Sequence, residues 1–362
     1  MKIKIKVAVR CENAGRDYNE DNWFIDSNIS DGKVSFLKDE TISLGEKGAL
    51  LLVCDGMGGM NAGEVASASA VNTIKEWFTA DKLTEKVLTS SETIKSFIDK
   101  AITDADLRIK DEGKKDKSKE GMGTTIVLAW LYGEDVYVGW CGDSRAYRYN
   151  PDYGLERLSH DHSYVQELVD AGKLTEDMAF DHPDSNIITR SLGDPRQKIH
   201  PDIISKPLRE NDVILLCSDG LWGVLRDNEI ESVMAKHLTS MVECRDGLWN
   251  ESERVGWTDN VTVVLCQIVS GGIKCTNHQE SQNSTKKQRN QLQKFLTLII
   301  FFLIVFATAF EAGHYIGKGK FWIPSMNMGH HNSSLDSLKV VNNKDSTRLS
   351  KDTLINQQLE SK

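Results

Sequence analysis

A chain of 362 residues can bury one large core and still carry an appendage, since single domains run to about 200–250 residues before splitting. Its 40% hydrophobic and 27% charged residues confine any membrane-embedded part to a small minority of the chain. The net charge of −9 excludes nucleic acid as the main partner, because a polyanion needs a basic face to release its counterions.

From the N-terminus, Ile3, Ile5, Val7 and Val9 alternate with basic residues, the period of a strand with one buried face, and predict an edge strand. The opening MKIKIKVAVR has no apolar h-region or small-residue cleavage site, so no signal peptide is expected and the front domain should stay in the cytosol. A strand is predicted over Ala49–Asp55, then helices over Gly63–Ala80 and Ser91–Gly113. Strands follow at Thr124–Leu131, Asp135–Asp143 and Arg145–Asn150, joined by the short turns GED and YNPDYG, which leave no room for crossover helices. A helix at Tyr164–Ala171, a strand at Asp212–Asp219, a helix at Asn228–His237 and a strand at Val261–Val269 complete the pattern. Consecutive strands with long helices between other strands predict an α+β fold of stacked antiparallel sheets with helices on their outer faces. Cys11, Cys54, Cys141, Cys217, Cys244, Cys266 and Cys275 have scattered spacings without a CxxC pair, which favours reduced core thiols over disulfides or zinc.

After the front domain, residues 1–270, comes a polar linker at 271–294 without apolar periodicity. From Phe295 the run FLTLIIFFLIVFATAF is continuously apolar, and AGHYIG extends it to about the length a bilayer requires, so 295–317 is read as a transmembrane helix. Lys286, Lys287, Arg289 and Lys294 precede it, against Lys318 and Lys320 after it, which places the N-terminal side in the cytoplasm. The expectation is a single-pass cell-membrane protein whose tail, 318–362, lies outside and is disordered.

Two apolar strands end alike, ALLLVCDGMGG at Asp55 and DVILLCSDGLWG at Asp219, each delivering a carboxylate and then a glycine. The glycine allows a sharp turn and brings backbone oxygen near whatever the carboxylate holds. Asp259 precedes another apolar strand, and Glu20 and Asp21 follow Arg16 in GRDYNED. Acids at the ends of buried strands repel one another unless a cation compensates, and an all-oxygen cluster suits Mg²⁺ or Mn²⁺. Any single Asp-Gly is a common turn; only the set carries weight.

The ordered series Arg16-x-x-Asn19-Glu20-Asp21, Asp55-Gly-Met-Gly-Gly59, Gly63-Glu64, Gly121-Met-Gly-Thr-Thr125, Gly142-Asp-Ser-Arg145, Asp161-His-Ser163, Arg190-Ser-Leu-Gly193, Ser218-Asp-Gly220 and Asp259-Asn260 resembles the metal-dependent PP2C (PPM) phosphatase family over roughly residues 1–270. The resemblance implies a four-layer αββα sandwich with two metal ions, Mn²⁺ or Mg²⁺, in a cleft at one end. It implies that Asp55 bridges the ions, that the Gly56 carbonyl binds one, that Asp219 and Asp259 complete the other, and that Glu20 acts through metal-bound water. Asp143 matches a position that helps hold a third ion in bacterial members; read from the residues alone it is equally a turn acid bonded to Arg145. Arg16 is the candidate phosphate clamp, since a guanidinium binds two phosphate oxygens at once.

The reaction so implied is hydrolysis of phosphoserine and phosphothreonine in proteins by water activated between two ions, without a covalent intermediate. Met57 stands where eukaryotic members usually have a histidine thought to protonate the leaving oxygen; DGMGG is the bacterial form. His160, His162 and His182 are read as structural, with a proton-donor role as the alternative. The segment Ser163–Gly193 resembles the family's flap beside the active site. The rival reading is a membrane-tethered pseudophosphatase that binds phosphoproteins; the complete set Arg16, Glu20, Asp55, Asp219 and Asp259 argues against it. Expected partners are phosphoproteins, among them a membrane Ser/Thr kinase and its targets. A sensor role for the tail is disfavoured by its short, polar character.

Overall fold

The computed structural model describes residues 2–31, 40–58 and 62–274. Beyond residues 271–274, the expected linker, membrane span and tail lie outside the described residues. Among the described residues no helix is long and apolar enough to cross a membrane.

Strands β1 (Lys4–Glu12), β2 (Asn22–Asp26), β3 (Ile42–Ser43), β4 (Ala49–Cys54) and β5 (Gly56–Met57) lead into helices α1 (Ala62–Trp77), α2 (Glu85–Leu88) and α3 (Ser91–Lys115). Then come β6 (Gly123–Thr124), β7 (Ile126–Tyr132), β8 (Asp135–Cys141), β9 (Arg145–Asn150) and β10 (Gly154–Arg157), followed by α4 (Tyr164–Asp170) and α5 (Glu176–Phe180). β11 (Asp202–Pro207), β12 (Val213–Cys217), α6 (Asp219–Trp222), α7 (Asp227–Lys236), α8 (Met241–Val255) and β13 (Val261–Ser270) close the domain.

The strands form a six-stranded sheet in the order β10-β9-β12-β13-β1-β3 and a five-stranded sheet in the order β11-β8-β7-β4-β2. All pairs within them are antiparallel. Strand period explains why β4 reads as an unbroken apolar run: side chains alternate between two faces, and both faces are buried. Leu51 and Val53 pack against Val7, Val264 and Leu216 of the other sheet. Leu50, Leu52 and Cys54 pack against Ala66, Ala70 and Ile74 of α1 and Ile98 and Ile102 of α3. On the far side Ala8, Tyr147, Leu215 and Val263 pack against Ile230 and Met234 of α7 and Cys244 and Leu248 of α8. The result is the αββα sandwich.

The N-terminal strand stands second from the edge in strand order, and past Ile5 its outer side has no strand partner among the described residues. β1 pairs with β13 from Lys4 to Glu12, while β3 covers its other side only at Lys4 and Ile5. On this strand Lys4 is exposed and Lys6 half-buried, while Ala8 is buried and the Arg10 guanidinium lies 4.0 Å over the Trp249 ring of α8. The described thiols are all free, and five of the six are buried. Helix α3 starts on a capping box, with Ser90 and Thr93 exchanging side-chain and backbone hydrogen bonds, which satisfies two otherwise orphaned donors.

Trp130 centres the helix-facing core: its ring is 5.2 Å from Phe78 at 90°, and its indole N–H donates to the Lys47 carbonyl at 2.9 Å. Trp130→Ala should lower the unfolding free energy by about 3–5 kcal/mol. Leu107→Ala, at a side chain 58% exposed, should change it by less than about 0.5 kcal/mol. Urea unfolding followed by tryptophan fluorescence and circular dichroism measures both.

Candidate active site

The acids singled out in the sequence gather at one end of the stacked sheets because the strands that carry them stop there. Asp55 follows β4, Asp219 follows β12 by two residues, and Asp259 precedes β13 by two. Asp55 is fixed through its backbone: its N–H donates to Thr125 Oγ1 at 3.0 Å, and its carbonyl accepts from the Thr125 N–H and Thr124 Oγ1, each at 2.8 Å. Thr125 Oγ1 shares a further hydrogen bond of 2.7 Å with Ser144 Oγ, joining the Asp55 strand to the GDSR turn.

Two glycines are required by close approach. A Cβ on Gly56 would lie 2.2 Å from the Gly63 carbonyl oxygen and 2.6 Å from that of Glu20. A Cβ on Gly220 would lie 1.9 Å from the Asn260 carbonyl oxygen. Backbone segments therefore cross here in contact, and no side chain fits between them.

Asn260 organises the loop carrying Arg16 and Glu20. Its Oδ1 accepts from the Glu20 N–H at 2.9 Å, and its Nδ2 donates to the carbonyls of Asn13 at 2.9 Å and Tyr18 at 2.8 Å. The Glu20 carbonyl in turn accepts from the Gly56 N–H at 3.1 Å and Ser67 Oγ at 2.7 Å. Arg16 lies half exposed and donates to Asp259 Oδ2 at 2.7 Å.

The electrostatics are those of crowded, dehydrated carboxylates. Burial, then the charges of Asp21, Asp219 and Asp143, hold Asp55 well above the usual carboxylate range. Burial and Asp259 push Asp219 up to about 6, with Asp55 and Arg16 pulling the other way. Asp143 is raised well above its ordinary value by burial and by Asp219. Glu20 is raised too, mainly by burial.

Asp21, which sequence reasoning left without a role, is buried beside these groups. Burial pushes it up to about 7, although Ser218 Oγ and Thr262 Oγ1 each donate to its Oδ2 at 2.7 Å. The signal was present as a lone Thr262 within an apolar strand.

Asp143 is not the hydrogen-bond partner of Arg145. Arg145 directs its guanidinium to Asp161, with Nε and Nη2 donating to Oδ2 at 2.9 and 2.7 Å, and to the Tyr147 hydroxyl at 2.9 Å. Asp143 Oδ1 is buried without a hydrogen-bond partner, and so are Asp21 Oδ1 and Asp219 Oδ1. The histidines are engaged elsewhere: His160 with Asp170 at 2.8 Å, His162 with Asp202 at 2.7 Å, and His182 Nδ1 with the Asp184 N–H at 3.1 Å.

The acids are neighbours and not a closed shell: among the described residues no three such side chains converge as a ready-made ligand set. An open, all-oxygen arrangement suits Mg²⁺ or Mn²⁺, which keep several water ligands. The partnerless buried oxygens fit a cation, because an ionised carboxylate away from water is costly until a positive charge meets it.

Fold and site define a class, an αββα sandwich of the protein phosphatase type with its acids at one end of the sheets. The Protein phosphatase 2C family profile matches residues 12–261, and the chain belongs to this family. It is similar to the serine/threonine phosphatase stp of Listeria innocua, 34% identical over 222 residues, covering 61% of this chain and 85% of the relative. The solved serine/threonine phosphatase Stp1 of Staphylococcus aureus is similar at TM-score 0.63 and 32% identity, covering 74% of this chain and 96% of that one. A solved catalytic domain of the phosphatase PstP, in complex with two manganese ions, is similar at TM-score 0.59 and 27% identity, covering 74% of this chain and all of that one. The protein is a PP2C-type serine/threonine phosphatase of bacterial type.

Carboxylates whose folded pKa lies above the unfolded value stabilise the fold while protonated. That contribution is complete below the unfolded carboxylate value of about 4 and is lost as pH rises through the folded values, about 6 for Asp219 and about 7 for Asp21. The melting temperature of chelator-treated protein should therefore fall between about pH 4 and about pH 7, and added Mn²⁺ should raise it more at the higher pH. Differential scanning fluorimetry across that range measures it; a flat profile contradicts the assignment.

Proposed function

We propose that the chain hydrolyses phosphoserine and phosphothreonine in proteins at a binuclear centre of divalent ions, Mn²⁺ or Mg²⁺, held by Asp55, Asp219, Asp259, Glu20 and the Gly56 carbonyl. The observation that carries this reading is the set of buried carboxylate oxygens of Asp21, Asp143 and Asp219 left without partners. The two manganese ions of the PstP catalytic domain support it. Asp143 is assigned to a third ion. Bound ions would supply charge neutralisation for the phosphate dianion and an acidified water.

The chain's own residues do the rest. Arg16 is positioned by Asn260 through the 13–20 loop and offers a forked donor to phosphate oxygens. Its resting partner Asp259 orients that fork until substrate arrives. Met57 offers no proton to the leaving oxygen, and His160, His162 and His182 are bonded to other groups, so no side chain is assigned as the general acid. The pseudophosphatase reading is not favoured, because a binder has no need for so many dehydrated acids.

The apolar segment 295–317 anchors the enzyme in the cell membrane, with the catalytic domain cytoplasmic and the tail outside. Confinement raises its effective concentration near membrane-bound phosphoproteins, a Ser/Thr kinase and its targets among them.

Full-length protein should hydrolyse a phosphothreonine peptide with Mn²⁺ and stop on addition of EDTA. Asp55→Asn and Asp219→Asn should each lower kcat by at least about 100-fold, and Arg16→Ala should raise KM by about tenfold or more. Steady-state kinetics reads these, and turnover insensitive to EDTA would sink the metal mechanism. For topology, an alkaline phosphatase reporter fused after Lys362 should be active and a fluorescent protein there dark; the opposite pattern refutes the crossing.

A further inference from the structure

The segment between Ser163 and Gly193 leaves and rejoins the domain beside the Gly142–Asp143 turn, and one residue touches every part of that junction. The His162 N–H donates to the Gly142 carbonyl at 3.0 Å, and the His162 carbonyl accepts from the Thr189 N–H at 2.8 Å. The pairing continues outward, with the Tyr164 N–H donating to the Ile187 carbonyl at 2.8 Å and Ser163 bridging Ile188. The backbone of His162 thus closes the base of the segment against the turn.

Its side chain repeats the connection. The ring is buried and stacked on Trp140, with centroids 6.3 Å apart at 18°. The Gly142 N–H points at His162 Nδ1 at 3.0 Å. A backbone N–H can only donate, so Nδ1 is unprotonated and the ring proton sits on Nε2, donating to Asp202 Oδ2 at 2.7 Å. The same Asp202 oxygen accepts from Arg190 Nη1 at 3.3 Å, on the returning end of the segment. Burial lowers the His162 pKa, in keeping with a neutral ring. Gly142 has φ +119°, and a Cβ there would lie 2.7 Å from Thr125, so the turn has little other freedom. The next residue is Asp143, whose buried Oδ1 lacks a partner.

We propose that His162 is a positioning residue for the phosphatase reaction: its neutral ring holds the Gly142–Asp143 turn and ties it to the returning end of the 163–193 segment through Asp202 and Arg190. One side chain then braces the Asp143 turn through Nδ1 and the returning end of that segment through Nε2. This rests on the reading that Asp143 belongs to the acid site, and it uses both ring nitrogens of a histidine that a proton-donor role would need free.

Two amide substitutions separate the two bonds. In His162→Asn the side-chain oxygen stands in for Nδ1 as acceptor from Gly142 and the reach to Asp202 is lost. In His162→Gln the amide nitrogen stands in for Nε2 toward Asp202 and the acceptor for Gly142 is lost. Full-length variants would be compared for Mn²⁺ binding by calorimetry, for kinetics on p-nitrophenyl phosphate and on a phosphothreonine peptide, and for hydrogen exchange of metal-free protein.

Expected for His162→Asn are Mn²⁺ affinity and p-nitrophenyl phosphate kcat within about threefold of wild type, a peptide KM raised by about three- to tenfold, and faster exchange at 187–190. Expected for His162→Gln are Mn²⁺ affinity weakened by about tenfold and kcat lowered on both substrates. Asp202→Asn should repeat the His162→Asn pattern, and the double variant should add nothing to it. Two variants that match wild type, or that lose every property together in step with melting temperature, would overturn the proposal. Should wild type turn over neither substrate, the phosphatase reading is what fails, and the exchange contrast between the two variants still decides the joint.

Discussion

Everything at the working end of this molecule follows from crowding several carboxylates where water reaches them only in part. Asp21 and Asp143 are buried and their neighbours Asp55 and Asp219 partly so, and burial is the first cause of the raised pKa in each. The surroundings neutralise them only in part. Asp21 receives two hydroxyl donors on one oxygen and none on the other, and the nearby Arg16 is bonded to Asp259 at the rim. Such a cluster is an unfavourable object in isolation, and the fold supplies the stability to hold it.

The surrounding architecture keeps that cluster from relaxing. Two sheets buried on both faces end at one level, so their strand termini are as rigid as the core behind them. The Asp55 backbone is pinned by Thr124 and Thr125, and Glu20 is held through its N–H by Asn260 and through its carbonyl by Gly56 and Ser67. Contacts closer than any side chain would permit occur at Gly56 and Gly220, so the backbone segments beside the acids lock against one another. The same logic extends to the GDSR turn, fixed on one side by Thr125 with Ser144 and on the other by His162.

Much of this was readable from the chain because burial on both faces writes a strong pattern. Strands β4 and β12, which lead to Asp55 and Asp219, are apolar at every position and fall within two residues of the expected spans. What escaped reading is polar or half exposed. Helix α8 buries Met241, Cys244, Leu248, Trp249 and Ser252 at helical spacing, but charged residues and Gly247 interrupt the stripe. Strands β2 and β11 sit at an edge of the five-stranded sheet, where the partly exposed β11 carries no apolar run. The N-terminal strand read as an edge, and past Ile5 its outer side has no strand partner among the described residues. Of the site, the acids were legible as a set, whereas the partners of Arg145, the bracing by Asn260 and the burial of Asp21 depend on residues distant in sequence.

Membership of the PP2C family fixes the reaction class, and the buried acids give it a physical reason: an arrangement unfavourable by itself becomes favourable when a cation enters. If that is so, ion binding must expel protons that the raised pKa values retain. The most direct test is calorimetric titration of the full-length protein with Mn²⁺ at about pH 6, near the value of about 6 for Asp219, in two buffers of different ionisation enthalpy. The account predicts binding accompanied by net proton release. Binding with no proton release, or no binding at all, would contradict it.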